Sequence, residues 1–194
     1  MGAFIFVPVP SDASTKDLNT WGKGRERIGK QPYEVLMNPF SKGFMKGFAR
    51  GAGFRCLSRV KTTEKLYVYA HGAAGEGKIG GNRNDGSSKR YSAQELANLL
   101  VAEGLSKAHQ DLRLYSCESG VGDDQSFASQ LKDAMVELGY RSLRVTGYQG
   151  DVRPSYARRQ IPGRTAHGGG TEQEHKGVEQ DGFIFRASQF RRTF

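Results

Sequence analysis

The chain has few cysteines and no long apolar run. Two of its 194 residues are cysteine, Cys56 and Cys117. Two thiols are too few for the disulfide framework of a small secreted domain, which favours a reducing compartment and leaves a single bridge as the alternative. No run reaches the ~20 apolar residues of a membrane-spanning helix. The apolar N-terminal segment has no basic residues before it and contains Pro8 and Pro10, which argues against a signal peptide.

The sequence also lacks the usual signatures of nucleotide and nucleic-acid binding. Residues 72–90 are rich in glycine, but these glycines do not combine the spacing of a Walker loop or of a dinucleotide-binding fingerprint with the flanking residues that the motif requires. No recognised nucleic-acid-binding motif is present. We predict no metal site and no nucleotide cofactor.

Positive charge is concentrated in the two flanks of the chain. Residues 1–70 carry a net charge of +7, residues 71–150 of −1 and residues 151–194 of +3. Basic flanks of this kind can bind nucleic acid, acidic lipid or a polyphosphate, and a solvated basic surface is the plain alternative. The near-neutral middle of the chain is where the candidate chemistry lies.

Two apolar strands in this middle region end on chemically active residues. Residues 65–72 read KLYVYAHG, and residues 111–120 read DLRLYSCESG. The first strand therefore delivers His71, and the second delivers Cys117, 46 residues later. Ligands of open α/β sheets bind at the carboxyl ends of the strands, and the spacing is long enough for a crossover helix between parallel strands. The pattern predicts a cysteine nucleophile with a histidine base.

The sequence also suggests roles for two backbone N–H groups, the second cysteine and the other histidines. The backbone N–H groups of Gly72 and Cys117 are candidate donors to an oxyanion. We expect Cys56 to be a buried apolar thiol. The other histidines, His109, His167 and His175, are expected at the surface.

Periodicity places the flanking elements. We expect strands at 3–9, 65–70, 112–115 and 143–148, and a short strand or turn at 32–37. Residues 11–30 are expected to be loop with a short helix from Ser14, and residues 72–90 a long loop.

Ser92 and Glu95 form a capping box that starts a helix ending near Gly104. Asp123 and Asp124 are expected to start the next helix, which ends at Gly139. Phe40, Phe44 and Phe48 lie on one helical face, which either packs on the sheet or contacts a membrane or an anion.

This order of elements predicts an α/β fold with a mostly parallel central sheet flanked by helices. After Gly150 the sequence is rich in turns, which predicts a C-terminal β-hairpin or flap. We interpret residues 1–194 as one domain. It comprises a basic part at 1–64, a catalytic core at 65–150 and a flap tail at 151–194.

The two strand-end blocks resemble those of caspase-like cysteine peptidases. The similarity is greatest to the self-cleaving cysteine protease domains of multifunctional RTX toxins and large clostridial glucosylating toxins. It extends to the segments RYSAQELANLL, QSFASQLKDAM and VTGYQGDV, and covers roughly residues 65–188. The resemblance implies a Cys117–His71 dyad, cleavage after leucine and activation by inositol hexakisphosphate on a basic surface beside the flap. It also implies a soluble bacterial effector that acts in the cytosol of another cell.

The charge pattern suggests which basic residues would hold such a polyanion. If the tail folds beside the sheet, its arginines can converge with basic residues of the N-terminal part. The candidates are Lys42, Lys46, Arg50, Arg55, Arg59, Arg158, Arg159 and Arg164. Arginine suits this role because its planar guanidinium binds phosphate through two hydrogen bonds.

Two other functional classes remain open at this point. Ser119 precedes a glycine, as in serine hydrolases, but a nucleophile elbow needs glycine two residues earlier, where Cys117 stands. A non-enzymatic basic module that binds nucleic acid or acidic lipid is the other alternative.

Overall fold

The computed structural model describes residues 3–37, 55–157 and 175–194. Its strands and α-helices, in chain order, are β1 Ala3–Val7, α1 Asp12–Arg27, β2 Glu34–Met37, β3 Lys65–Tyr69, β4 Lys78–Asn82, β5 Ser88–Ser92, α2 Ala93–Ala102, β6 Asp111–Tyr115, α3 Phe127–Glu137, β7 Arg144–Tyr148, β8 Asp151–Ala157, β9 His175–Gln180, β10 Phe183–Arg186 and β11 Arg191–Thr193. Short 3₁₀ helices span Cys56–Arg59 and Asp123–Gln125. The predicted mixed α/β class with a mostly parallel central sheet is confirmed.

The central sheet has six strands in the order β11-β7-β6-β3-β1-β2. All neighbouring pairs are parallel except β11 with β7. The chain reaches β6 from β3 through α2, and β7 from β6 through α3. The predicted crossover helix between the His71 and Cys117 strands is therefore present.

Alternating side chains of these strands enter two separate cores. On one face, Leu66, Val68, Leu112 and Leu114 pack with α2 and α3. On the other face, a group of aromatic residues packs with α1 and the C-terminal strands, and its members are Trp21, Tyr67, Tyr69, Tyr115 and Tyr148. A sheet buried on both faces is typical of parallel α/β folds.

A second, antiparallel sheet follows the central one. Its strands are ordered β10-β9-β8, and β9 and β10 join at a tight turn where Asp181 and Gly182 have positive φ. Val178 of β9 is fully buried against the aromatic core. This C-terminal sheet therefore covers the same face of the central sheet as α1.

Three predicted elements were wrong. The segment expected to be mainly loop at 11–30 is the 16-residue helix α1, capped by Ser11. The expected long loop at 72–90 contains the hairpin of β4 and β5, in which Gly80 lies so close to Lys89 that a Cβ would meet its carbonyl oxygen at 2.0 Å. Asp123 and Asp124 form their own 3₁₀ turn, and α3 is capped by Ser126 instead.

Two side-chain environments also differ from expectation. His109 is fully buried, not at the surface, and its Nε2 lies 3.1 Å from the carbonyl oxygen of Asp111. Cys56 is half-buried, and its thiol donates to the buried Glu103 carboxylate at 3.2 Å. Burial, followed by that carboxylate, raises the pKa of Cys56 to about 12, so this thiol is chemically inert at neutral pH.

Some sequence-based expectations concern residues outside the ranges that the structure describes. The phenylalanine stripe at 40–48 and His167 lie outside the described residues. Across the ranges that the structure describes, no helix combines the length and the apolar composition needed to cross a membrane.

Candidate active site

Strand register brings His71 and Cys117 to the same edge of the sheet. Tyr69, the last residue of β3, is the partner of Tyr115, the last residue of β6. Each chemically active residue lies two positions beyond one member of this pair, and Ala70 N–H donates to the Tyr115 carbonyl at 3.3 Å. The carboxyl ends of two adjacent parallel strands therefore present a histidine and a cysteine side by side.

The segment after His71 packs directly on the segment of Cys117. A Cβ at Gly72 would lie 2.6 Å from Ser116 Oγ and 3.2 Å from the Cys117 carbonyl oxygen, so this approach requires glycine. The hairpin β4–β5 fixes the backbone of His71, which exchanges two hydrogen bonds with Gly80 at 2.7 and 2.9 Å. His71 itself is exposed, so its imidazole is accessible to a substrate.

The Cys117 thiol is half-buried and lies against the start of β8. Burial is the main cause that raises its pKa, and the nearby carboxylates of Asp151 and Glu118 act in the same direction. The backbone N–H of Val152 donates to the sulfur and opposes them. Because its pKa lies above the ordinary value, Cys117 is protonated at neutral pH in this state and needs a base before it can act as a nucleophile.

Two backbone N–H groups beside the thiol are available to a ligand. In the part of the chain that the structure describes, no hydrogen bond uses the N–H of Gly72 or of Cys117. Neighbouring amides are engaged: that of Glu118 donates to the Gly150 carbonyl at 3.1 Å, and that of Ala74 donates to Glu118 Oε2 at 2.9 Å. Two free donors at one strand edge are the arrangement an oxyanion site needs.

Ser119 does not occupy a comparable position. It is 3% exposed, and its hydroxyl donates to the Ser116 carbonyl at 2.9 Å and accepts from the Tyr148 N–H at 3.2 Å. The first bond closes the loop after β6, and the second joins this loop to β7. The hydroxyl therefore serves the structure of the loop, and the geometry gives no support to a serine nucleophile.

Two pockets open on either side of the loop that follows Cys117. The smaller, of about 250 Å³, lies between this loop, the segment after His71 and the start of α3, and Cys117 lines it. The larger, of about 680 Å³, lies between the same loop and the C-terminal sheet. Glu118 and Val121 line both pockets, so a chain lying across Cys117 can place side chains into either one.

Six of the eight residues predicted to hold a polyanion lie outside the described residues: Lys42, Lys46, Arg50, Arg158, Arg159 and Arg164. Of the other two, Arg55 precedes and Arg59 ends the 3₁₀ helix whose Leu57 packs in the core of α2 and α3. Arg59 forms an ion pair with Glu34. The structure therefore places these two arginines on the face of the sheet opposite the C-terminal strands.

A different group of cations lies on the aromatic face. Lys176 of β9 directs its amino group into a box of aromatic rings, 4.1 Å from the Tyr67 centroid, 4.6 Å from Tyr115, 5.1 Å from Tyr148 and 5.3 Å from Trp21. Its Nζ donates to Tyr148 Oη at 2.9 Å.

Four cations lie around this amino group. Burial, together with Arg113, Arg191, Arg25 and Lys65, lowers the pKa of Lys176 well below its ordinary value. Arg113 is itself held by Asp111, with a Nε–Oδ1 distance of 2.8 Å. We call Lys176 and these four residues the cationic cluster. No sequence pattern singles out Lys176, although Arg113, a charge between two buried leucines, is a visible irregularity in β6.

Within the described residues, no group of three or more histidine, cysteine, aspartate or glutamate side chains converges in a way that would hold a metal ion.

Comparison with family models shows a match over part of the chain. Residues 52–145 match a family model described as a domain of unknown function (DUF8616). The matched segment includes both His71 and Cys117 and ends within β7, so it covers the crossover unit that forms the site. No curated protein matches the chain.

Proposed function

We propose that the protein is a cysteine endopeptidase in which Cys117 is the nucleophile and His71 is the general base and acid. The observation that carries the proposal is the register of β3 and β6, which sets the two residues at one sheet edge. The two free N–H groups and the adjoining pockets supply the other parts that acyl transfer needs.

The chemistry follows from these groups. His71 takes the thiol proton of Cys117, and the thiolate sulfur attacks the carbonyl carbon of the peptide, forming a C–S bond. The carbonyl electron pair moves to oxygen, which the N–H groups of Gly72 and Cys117 stabilise. The C–N bond then breaks, and the amine leaves with the proton from the His71 imidazolium. Water, deprotonated by His71, hydrolyses the thioester and regenerates the thiol.

The similarity to caspase-like toxin proteases extends the proposal. It supports a flap role for the C-terminal sheet, cleavage after leucine and delivery of a bacterial effector into the cytosol of another cell. The apolar floor of the larger pocket, with Phe183, Phe185 and Phe190, is compatible with a leucine side chain. A peptide library would test this preference, and strong selection for aspartate or arginine before the cleaved bond would contradict it.

Activation by a polyanion such as inositol hexakisphosphate is part of the same proposal. The cationic cluster supports it because β9, which carries Lys176, pairs with β8, whose first residues contact Cys117. Without an anion, mutual repulsion in the cluster weakens the attachment of β9 to the central sheet. A bound polyanion would relieve that repulsion, order the C-terminal sheet and so complete the cleft.

Variants of the two central residues test the peptidase. Cys117→Ala and Cys117→Ser are expected to abolish peptide cleavage while circular dichroism stays unchanged. His71→Ala is expected to lower the rate by roughly 10²–10⁴, the usual contribution of a general acid–base group. Assays are run with and without inositol hexakisphosphate. Full activity of Cys117→Ala would refute the assignment, and salt-sensitive nucleic-acid binding without cleavage would favour a basic binding module.

A further inference from the structure

The larger pocket, on the far side of Glu118 and Val121 from the pocket that Cys117 lines, has an apolar floor. Its floor comprises Val121, Phe183, Phe185 and Phe190, all half-buried, and the rings of Phe185 and Phe190 are 4.7 Å apart. Half-buried rings in a concave site still expose apolar surface that a ligand can cover. The floor therefore fits an aliphatic side chain.

Two carboxylates stand on the walls above this floor. Glu118 comes from the loop after β6, and Asp181 from the turn between β9 and β10. Neither has a lysine or arginine partner within the described residues, whereas the neighbouring Glu179 pairs with Arg153. Among the residues that the structure describes, no cation lines the pocket, although the whole chain carries a net charge of +9.

A hydrogen bond positions the Glu118 carboxylate, and a tight turn positions the backbone of Asp181. The Glu118 N–H donates to the Gly150 carbonyl at 3.1 Å, and the Glu118 side chain accepts from Ala74 N–H at 2.9 Å. Asp181 lies in a two-residue turn with φ values of 51° and 77° for Asp181 and Gly182. Two negatively charged residues in the lining of one apolar pocket, one of them held by a hydrogen bond, favour a cation attached to an apolar group.

We propose that this pocket selects peptides in which a basic residue lies next to the apolar residue. The proposal rests on the peptidase function above, since it makes the pocket part of the substrate cleft. The apolar side chain covers Phe183, Phe185 and Phe190, and the arginine or lysine head group lies between Glu118 and Asp181. The exposed Gln149 and half-buried Gln180, also in the lining, can hydrogen-bond the peptide backbone.

Such a substrate would also assist its own cleavage. The carboxylate of Glu118 is one of the groups that favour the protonated thiol of Cys117. A bound guanidinium would neutralise this charge and make the thiolate easier to form. The basic residue would then increase the rate of the acylation step as well as the affinity.

The test measures peptide binding to the inactive Cys117→Ala variant by fluorescence anisotropy at about 0.15 M salt. Three labelled peptides differ only in the residue beside leucine: arginine, its uncharged analogue citrulline, or glutamate. The arginine peptide is expected to bind about fivefold more tightly than the citrulline peptide, and the glutamate peptide most weakly.

Variants locate the source of the preference. Asp181→Asn and Glu118→Gln are each expected to reduce it, and the double variant to abolish it. Asp133→Asn, which removes an exposed carboxylate on α3 outside the pocket, is the matched control and is expected to retain it. Asp181 is exposed in a turn, so its variant remains informative if Glu118→Gln fails to fold.

The outcomes separate this inference from the peptidase proposal. Equal binding of the arginine and citrulline peptides, no binding of any peptide, or a preference that survives in the double variant would overturn the inference. An arginine preference in binding without cleavage by the wild-type chain would refute the peptidase and leave the pocket's selectivity standing. Cleavage by the wild-type chain without a charge preference in binding would overturn the inference about the pocket and leave the peptidase proposal standing.

Discussion

At the scale of single residues, the site combines a reactive pair with surroundings that restrain it. Cys117 and His71 share a sheet edge, but burial and the carboxylates of Asp151 and Glu118 keep the thiol protonated. The other thiol, Cys56, is held by Glu103 and is inert. This difference makes the two cysteines distinguishable in one experiment.

We predict that Asp151→Asn increases the alkylation rate of Cys117 at pH 7. Removing the carboxylate lowers the raised pKa of Cys117, so the thiolate fraction at neutral pH rises, by about tenfold for each unit. We expect a rate increase of about three- to tenfold with iodoacetamide. In the wild type the rate continues to increase as the pH rises above the ordinary thiol pKa of about 8.5.

Mass spectrometry of separate peptides provides the control, because Cys56 is alkylated more slowly in the same sample at every pH below its pKa of about 12. Glu137→Gln, at the exposed end of α3, is expected to leave the Cys117 rate unchanged. An unchanged rate in Asp151→Asn would show that Asp151 does not restrain the thiol.

Gly72 is the second residue whose replacement tests the geometry of the candidate site. In Gly72→Ala the new methyl group would lie 2.6 Å from Ser116 Oγ and 3.1 Å from Ile79 Cγ2. We expect a loss of about 1–3 kcal/mol in the free energy of unfolding, and a fall in peptidase rate on the order of 100-fold because the His71 and Cys117 segments move apart.

Gly77→Ala is the matched control. A methyl group there meets nothing within 4 Å, and Gly77 is exposed with no positive φ. Its stability is expected to stay within about 0.5 kcal/mol of the wild type. Equal effects of the two substitutions in urea denaturation would contradict the close packing at Gly72.

At the scale of elements, the attachment of β9 to the central sheet depends on one unusual contact. Lys176 places an amino group among four aromatic rings, with a phenol as its hydrogen-bond acceptor. Cation–π contact favours the charged form, whereas burial and the neighbouring cations oppose it. The low pKa indicates that the second effect prevails.

We predict that Lys176→Met stabilises the protein. The methionine fills a similar volume and contacts the same rings, but it removes the poorly compensated amine. Replacing buried charges by apolar groups is often stabilising by roughly 1–4 kcal/mol, and we expect about 1 kcal/mol here. Urea denaturation measures the change, with Lys107→Met at an exposed position as control. Clear destabilisation by Lys176→Met would show that the cation–π contacts dominate.

The elements also show where sequence reasoning succeeds. The strands that deliver His71 and Cys117, and the helix α2 begun by Ser92 and Glu95, have strong apolar periodicity or a capping box, and all three are present. Local rules predict such elements because their burial pattern repeats within a few residues.

The missed elements have weak local signals. Helix α1 is mostly polar and includes two glycines, and it is anchored by Leu18 and Trp21. In the hairpin of β4 and β5, Ile79 is the only apolar residue of β4. Strand β11 is an exposed Arg-Arg-Thr segment that pairs with β7. Tertiary contacts determine these three elements, so propensity alone cannot identify them.

At the scale of the whole molecule, charge is distributed in a way that the strand pattern does not reveal. Net charge alone predicts a polyanion site in the two flanks of the chain. The described cations that converge come instead from α1, β3, β6, β9 and β11. Only the fold brings Arg25, Lys65 and Arg191 near Lys176. The proximity of His71 and Cys117 was predictable because it depends on two adjacent strands. The cationic cluster was not predictable, since it depends on five elements.

We predict that inositol hexakisphosphate raises the melting temperature at physiological salt. At 100- to 1,000-fold above its dissociation constant, a ligand of the folded state contributes about 3–4 kcal/mol. Uncharged inositol at the same concentration is the ligand control. Arg191→Gln is expected to reduce the shift, and Arg141→Gln, exposed before β7, to leave it unchanged. The absence of any shift would remove the polyanion switch without affecting the catalytic assignment.

The most direct test of the central claim is the position of a mechanism-based adduct. The chain is incubated with a peptidyl acyloxymethyl ketone ending in leucine, with and without inositol hexakisphosphate, and the modified residue is identified by mass spectrometry. The reagent alkylates a cysteine that a peptidase site has activated, and the chain has two cysteines. The account predicts one adduct per chain, on Cys117, that is lost in Cys117→Ala and strongly slowed in His71→Ala. No adduct under either condition, or an adduct on Cys56, would contradict it.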